Sequence, residues 1–241
     1  NHLLSILQDK VGETSQLSVR AGKDTGVSLI QPLIFHPELD LDTGQKHYID
    51  SVNGRQFKVS SPSFFQVNVS QTAQLLQVVN EGLGLTGSEI LLDAYAGVGT
   101  FAVLLAPQVK KVLAVEESTA AVADARDNAA GLENVEFLLG KTEDVLLDLT
   151  EVPDAVVLDP PRAGCQLVAL ESLVRLAPKR VVYVSCDVET LARDLKFLCK
   201  QAYHLEKVVP LDMFPQTYHV ECVAFLRLSA DSSLTQGDFT S

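Results

Sequence analysis

From Glu89 onward the chain alternates short apolar runs with helical stretches, and that rhythm restricts the fold more than any other feature. Five runs, at 90–94, 112–116, 135–139, 155–159 and 180–185, are apolar nearly throughout. Strands of that kind are buried on both faces, as in a parallel sheet sandwiched between helix layers. The intervening helices are expected to begin near Thr100, Thr119, Glu143, Gln166 and Glu189. Two further strands, 205–211 and 220–228, follow with only a loop between them and predict an antiparallel hairpin closing the sheet. With 241 residues and 46% apolar content, the chain can bury one large core plus a small appendage.

Residues 1–62 break this rhythm and are polar and glycine-punctuated. Asn53-Gly54 lies between two strand-like runs and is a type I′ hairpin signal, because both residues tolerate positive φ. A small β-rich accessory segment is therefore expected over 1–62, feeding a main domain over 63–228. Ser70 is the expected N-cap of an amphipathic helix running to about Gly82. Residues 229–241 are small and polar and are expected to form a mobile tail. The chain opens at Asn1 without a methionine, so a fragment lacking an N-terminal module is expected. No apolar run approaches the ~18 residues that span a bilayer.

Four cysteines stand at 165, 186, 199 and 222 without C-x-x-C spacing, so neither a metal site nor a disulfide framework is expected. Reduced thiols in a cytoplasmic, monomeric protein are the expectation. The net charge of −12 argues against nonspecific polyanion binding by the whole surface. Residues 160–210 nevertheless hold eight Lys/Arg against five Asp/Glu, a basic stretch that suits either phosphate contact or an ordinary solvated face.

Asp93-Ala94-Tyr95-Ala96-Gly97-Val98-Gly99-Thr100 follows the first strand of the alternating region and opens a helix. Glycines there permit a tight turn and let the backbone approach a ligand at the strand ends. Glu116 ends the next strand, where an acid accepts hydrogen bonds from ribose hydroxyls. The pattern alone fits a nicotinamide dinucleotide as well as S-adenosylmethionine. Two features favour the methyl donor: Asp93, placed to face its cationic methionine portion, and Asp159-Pro160-Pro161-Arg162, which has no usual place in hydride transfer.

The two prolines force an extended exit from the strand and suit a base held flat beside the donor, with Asp159 hydrogen-bonded to it. A stiffened surface loop would look the same. Cys186 ends the strand Val182-Tyr183-Val184-Ser185 and precedes a helix, whose free amides should favour a thiolate. Asp187 next door should work partly against that. In isolation Cys186 also suits a buried structural thiol, as Cys165, Cys199 and Cys222 do within apolar patterns. Glu221 enters an otherwise apolar final strand, either as a buried functional acid or as an edge residue. His219, with no partner cluster in sequence, reads as a loop histidine.

Together these residues resemble the RNA uracil-C5 methyltransferases, which depend on S-adenosylmethionine and make 5-methyluridine in tRNA and rRNA. Three stretches carry the likeness, over about residues 60–228. One is Asp159-Pro160-Pro161-Arg162-Ala163-Gly164 with Val182 to Cys186 and Thr190. The second is Leu211-Asp212-Met213-Phe214-Pro215-Gln216-Thr217-Tyr218-His219-Val220-Glu221, and the third is Phe64-Phe65-Gln66-Val67-Asn68. The resemblance implies a Rossmann-like class I methyltransferase sheet with an antiparallel C-terminal hairpin. It implies Cys186 as nucleophile and Glu221 as general base. Donor contacts would come from Gln66, Tyr95, Gly97, Gly99, Thr100, Glu116 and Asp159, and RNA contacts from Asp159 and Arg162. Asp187 departs from the family, which usually has asparagine there. An RNA nitrogen methyltransferase, for which Asp-Pro-Pro alone would suffice, and a non-catalytic donor- or RNA-binding module remain open at this point.

Overall fold

The computed structural model describes residues 17–23, 25–35, 42–66 and 68–230. Most of the expected tail, residues 231–241, lies outside them. The alternation resolves into β5 (Ile90–Ala94), α2 (Thr100–Leu105), β6 (Lys111–Glu116), α3 (Thr119–Asn128) and β7 (Val135–Leu139). It continues through α4 (Thr142–Asp148), β8 (Ala155–Leu158), α5 (Leu167–Leu176), β9 (Arg180–Ser185) and α6 (Val188–Gln201). The closing hairpin is β10 (Tyr203–Leu211) and β11 (Glu221–Leu228). These strands form one seven-stranded sheet in the order β10-β11-β9-β8-β5-β6-β7. The five strands from β9 to β7 run parallel, and β11 runs antiparallel to both β9 and β10.

The chain winds outward from β5 to β6 and β7, then crosses back to lay β8 on the other side of β5. Strand order therefore reverses between β5 and β8. In open α/β sheets the crevice beyond the carboxyl ends at such a reversal is where ligands bind.

Side-chain alternation sorts each strand between two cores. Leu92, Val156, Val181 and Leu226 join Leu170, Leu173, Leu191 and Leu198 beneath α5 and α6. Leu91, Val157, Val182 and Val223 join Leu75, Val79 and Leu83 of α1 (Val69–Leu83) on the opposite face. Gly82 permits that approach, because a Cβ there would stand 2.8 Å from Val182 and from the Phe225 ring. The helix starts earlier than Ser70 would set it. Asn68 is the N-cap, its side chain accepting from the Gln71 amide at 3.3 Å, which lets Val69 begin the buried stripe.

The N-terminal strands are β1 (Ser18–Ala21), β2 (Ser28–Gln31), β3 (His47–Val52) and β4 (Arg55–Ser60). Asn53 and Gly54 both take positive φ, 50° and 76°, as the type I′ turn between β3 and β4 requires. This hairpin is tied to α3 by two buried polar side chains. Asp124 accepts from the Ser60 amide (2.8 Å), the Ser60 hydroxyl (2.7 Å) and the Ser63 hydroxyl (2.7 Å). Asn128 accepts from the Lys58 amide and donates to the carbonyls of Lys58 and Val98. Removing the carboxylate leaves one buried and two partly buried donors without their acceptor, at a net cost of about 3 kcal/mol. Asp124→Ala should lower the free energy of urea unfolding by that amount; a loss under about 1 kcal/mol would show that the tie is dispensable.

Candidate active site

Three acids converge at the carboxyl edge of the sheet because of strand register. Asp93 follows Leu91 on the α1 face of β5, and Asp159 continues the same face of β8 past Val157. Glu221 lies two residues before Val223 on that face of β11. Since β11 is antiparallel, its start lies beside the end of β9: Cys222 pairs with Ser185 and Val223 with Val184. Glu221 opens β11 and Cys186 follows the last residue of β9, so both stand at this end of the ladder. The charge of Glu221 bears on the Cys186 thiol, as it does on the Asp159 carboxyl, so the three belong to one site.

Burial makes this cluster electrostatically costly. Glu221 is 4% exposed, and burial pushes its carboxyl up to about 7. Asp159 is half-buried, and desolvation with the charges of Glu221 and Asp93 pushes it well above the ordinary carboxylate range. Asp93 is sealed at 0% exposure and raised to about 7, chiefly by burial and further by Glu116. Its Oδ2 accepts from the Ala102 amide at 2.8 Å. Oδ1 is the one buried side-chain polar atom among the described residues without a partner. Asp93 was expected to face the donor; its carboxyl is instead walled in at the start of α2 and acts on the site through its charge. Three acids whose negative charge is mutually unfavourable either hold protons or await a cation.

Arg162 is the counterweight. Its positive charge favours the Cys186 thiolate, and its guanidinium reaches to 3.5 Å from Nε2 of His219. The Cys186 thiol is nevertheless raised, first by desolvation and then by Glu221, with Arg162 opposing. This overturns the expectation that the amides opening α6 would favour a thiolate. Those amides are already taken: Asp187 caps the helix and its Oδ1 accepts from Glu189 (3.1 Å) and Thr190 (2.9 Å). His219, which reads in sequence as an unpartnered loop residue, meets Arg162 through a contact between segments 57 residues apart.

The glycine turn borders the same crevice. Tyr95, Gly97 and Gly99 all take left-handed backbone, with φ of 70°, 56° and 84°. For a tyrosine that conformation is costly and is usually held in place near a functional site. A Cβ at Gly97 would meet nothing nearer than the Phe64 carbonyl oxygen at 4.0 Å, so the turn faces open space bounded by the 64–66 segment. Gln66 and Thr100 are half-buried at this boundary. Glu116 fixes the turn, its two oxygens accepting from the Gly97 and Ser118 amides at 2.8 Å each, and each oxygen keeps a lone pair for a ligand. Tyr95 stands apart from the other expected contacts. Its ring packs on the α5–α6 core with its hydroxyl beside Cys165 and Thr142, so only its backbone borders the turn.

A supporting network was not visible in the sequence. Buried Asp194 accepts from the Tyr183 hydroxyl (2.6 Å) and the Cys165 amide (2.9 Å) and pairs with Arg193, which also holds the Ala163 carbonyl. These contacts fix the loop that carries Arg162. Cys165 and Cys222 are buried as expected of structural thiols, whereas Cys199 is exposed on the outer face of α6. Among the described residues no group of three or more His, Cys, Asp or Glu side chains is disposed to hold a metal ion, and no helix is long and apolar enough to cross a membrane.

This architecture has relatives. The crystal structure of Pyrococcus abyssi tRNA (uracil-54, C5)-methyltransferase in complex with S-adenosyl-L-homocysteine superposes with a TM-score of 0.74 at 29% identity, covering 93% of this chain and 65% of that one. The sheet is thus that of a Rossmann-like class I methyltransferase. An uncharacterized RNA methyltransferase of Clostridium acetobutylicum is 43% identical over 189 residues, 76% of this chain and 41% of its own length. Another, from Nostoc sp., is 44% identical over 199 residues, 81% of this chain and 43% of its own length. The chain thus spans about two fifths of the length of these curated relatives. The family model described as tRNA (Uracil-5-)-methyltransferase matches residues 37–152 and 139–229, and the chain belongs to that family.

Proposed function

We propose that this chain carries the catalytic centre of an enzyme that transfers a methyl group from S-adenosylmethionine to C5 of a uridine in RNA. The observation that supports this most is the gathering of Cys186, just past β9, with Glu221 at the start of the adjoining β11 and with Asp159 and Arg162 at the switch-point crevice. A nitrogen methyltransferase needs no thiol there. The family description favours tRNA as the substrate, with rRNA as the second arm of the test.

The residues fit the methyl donor. The open face of Gly97, the lone pairs of Glu116 and the acid cluster suit an adenosine with a cationic tail. Gln66, Tyr95 (through its backbone), Gly97, Gly99, Thr100, Glu116 and Asp159 would hold it. When bound, it supplies an electrophilic methyl group on a positively charged sulfur.

The chain's own residues do the rest. Arg162 and Asp159 orient the extruded ring, whose removal from a stack costs a few kcal/mol. The Cys186 sulfur adds to C6, forming an S–C6 bond and leaving an enolate whose C5 is nucleophilic enough to take the methyl group. C5 then carries both a proton and a methyl. Glu221 removes that proton; the electron pair restores the C5–C6 double bond and expels the cysteine thiolate.

Both working groups must be deprotonated, and both have raised pKa values. The rate should therefore climb through about pH 7 as Glu221 ionises and keep climbing above it as Cys186 does. Initial rates of methyl incorporation across about pH 6 to 9 test this; an optimum on the acid side of 7 would contradict it. The function itself is tested with methyl-labelled donor and RNA from cells lacking the gene, separated into tRNA and rRNA. Label in 5-methyluridine supports the reading. Label in an N-methylated nucleoside points to the nitrogen enzyme, and donor binding without transfer points to a binding module.

A further inference from the structure

We propose that Tyr218, backed by His219, is a stacking platform for the nucleobase adjoining the target uridine, so that single-stranded RNA leaves the reacting pocket across the β10–β11 loop. This rests on the uridine-methylation reading above. Tyr218 is 89% exposed, the most exposed large hydrophobic side chain among the described residues. Aromatic rings normally bury most of their surface, and one held out in water beside a reactive site is placed to meet a partner.

The ring sits at the end of an aromatic series. Tyr218 lies against His219 with ring centres 4.2 Å apart and planes inclined at 41°. His219 in turn meets Phe214 edge-on at 6.1 Å and 71°, and Phe214 packs on the core beneath α1. The loop braces itself: the Thr217 amide and hydroxyl both donate to the Phe214 carbonyl, and the His219 amide donates to the Thr217 hydroxyl. Gln216 turns the chain at φ 65°.

The platform is joined to the chemistry. His219 contacts Arg162, whose charge acts on the Cys186 thiol, and Tyr218 precedes Glu221 by three residues. Beside the rings lies a recess of about 370 Å³ lined by Leu211, Asp212, Gln216, Thr217, His219 and Val220. It offers both donors and acceptors to the edge of a base or a ribose. Extruding one uridine strips a neighbour of its stacking partner, and an aromatic face replaces what is lost whatever the neighbouring base. A chain carrying −12 net charge cannot rely on general attraction to RNA, which puts a premium on contacts of this kind.

The test uses the full protein and RNA from cells lacking the gene. Tyr218→Ala should raise KM for that RNA on the order of tenfold, leaving kcat and donor affinity unchanged. Tyr218→Phe should keep the wild-type KM. A benzophenone amino acid at position 218 should crosslink to the nucleotide adjoining the methylated uridine. An unchanged KM in Tyr218→Ala, a Phe variant as impaired as the Ala one, or a crosslink to a distant nucleotide or to a protein each overturns the platform. If wild-type protein makes no 5-methyluridine, the underlying reading falls and the platform with it; normal wild-type activity alongside an unaffected Tyr218→Ala removes the platform alone.

Discussion

Cys186→Ala should abolish methyl transfer, by a factor on the order of 10⁴ or more, while donor binding and folding stay intact. Without the sulfur, C6 receives no nucleophile and C5 stays too electron-poor to take the methyl group, so no neighbouring residue can substitute. The fold should tolerate the change because the side chain is half-buried at a strand end and belongs to neither core. Activity measured by labelled-methyl incorporation, with calorimetric titration of the donor as control, separates the two effects. Methylation at the normal rate would remove Cys186 from the mechanism.

Glu221→Gln should do something different: let the reaction start and keep it from finishing. The amide matches the carboxyl in size, so the packing of β11 between β9 and β10 survives. Its neutrality also removes one of the charges that raise the Cys186 thiol, which eases addition to C6. The C5 proton then has no base, elimination stalls, and a protein–RNA adduct that resists denaturation should accumulate as turnover falls about 10²- to 10⁴-fold. A denaturing gel with labelled RNA reads this directly. Free product at the wild-type rate would assign proton removal to another group, with Asp159 the nearest acid to examine.

The sheet was legible because its strands are apolar on both faces. The runs 90–94, 135–139 and 180–185 coincide with β5, β7 and β9. Ends were less readable. β8 stops at Leu158, one residue short of expectation, because the prolines after Asp159 have no amide hydrogens to continue the ladder. β10 begins two residues earlier than its apolar run, since Tyr203 is itself buried. Cys186, Asp159 and Glu221 could be picked out as chemically costly residues at strand ends, and in a parallel sheet those ends share one edge. What a linear reading lacks is lateral order. An antiparallel hairpin was expected, but nothing in its residues says that β11 lies inside β10, against β9, which is what brings Glu221 to the end of β9 that Cys186 follows. The direction of the thiol shift and the Arg162–His219 contact depend on neighbours remote in sequence, and they were missed for that reason.

The most direct test of a thiol-opened C5 is the fate of the hydrogen on that carbon. RNA carrying tritium at uridine C5 should release one tritium to water for each methyl group incorporated, and Cys186→Ala should release none. Methyl incorporation without tritium release would place the modification on another atom and leave the Cys186–Glu221 pair without its assigned task.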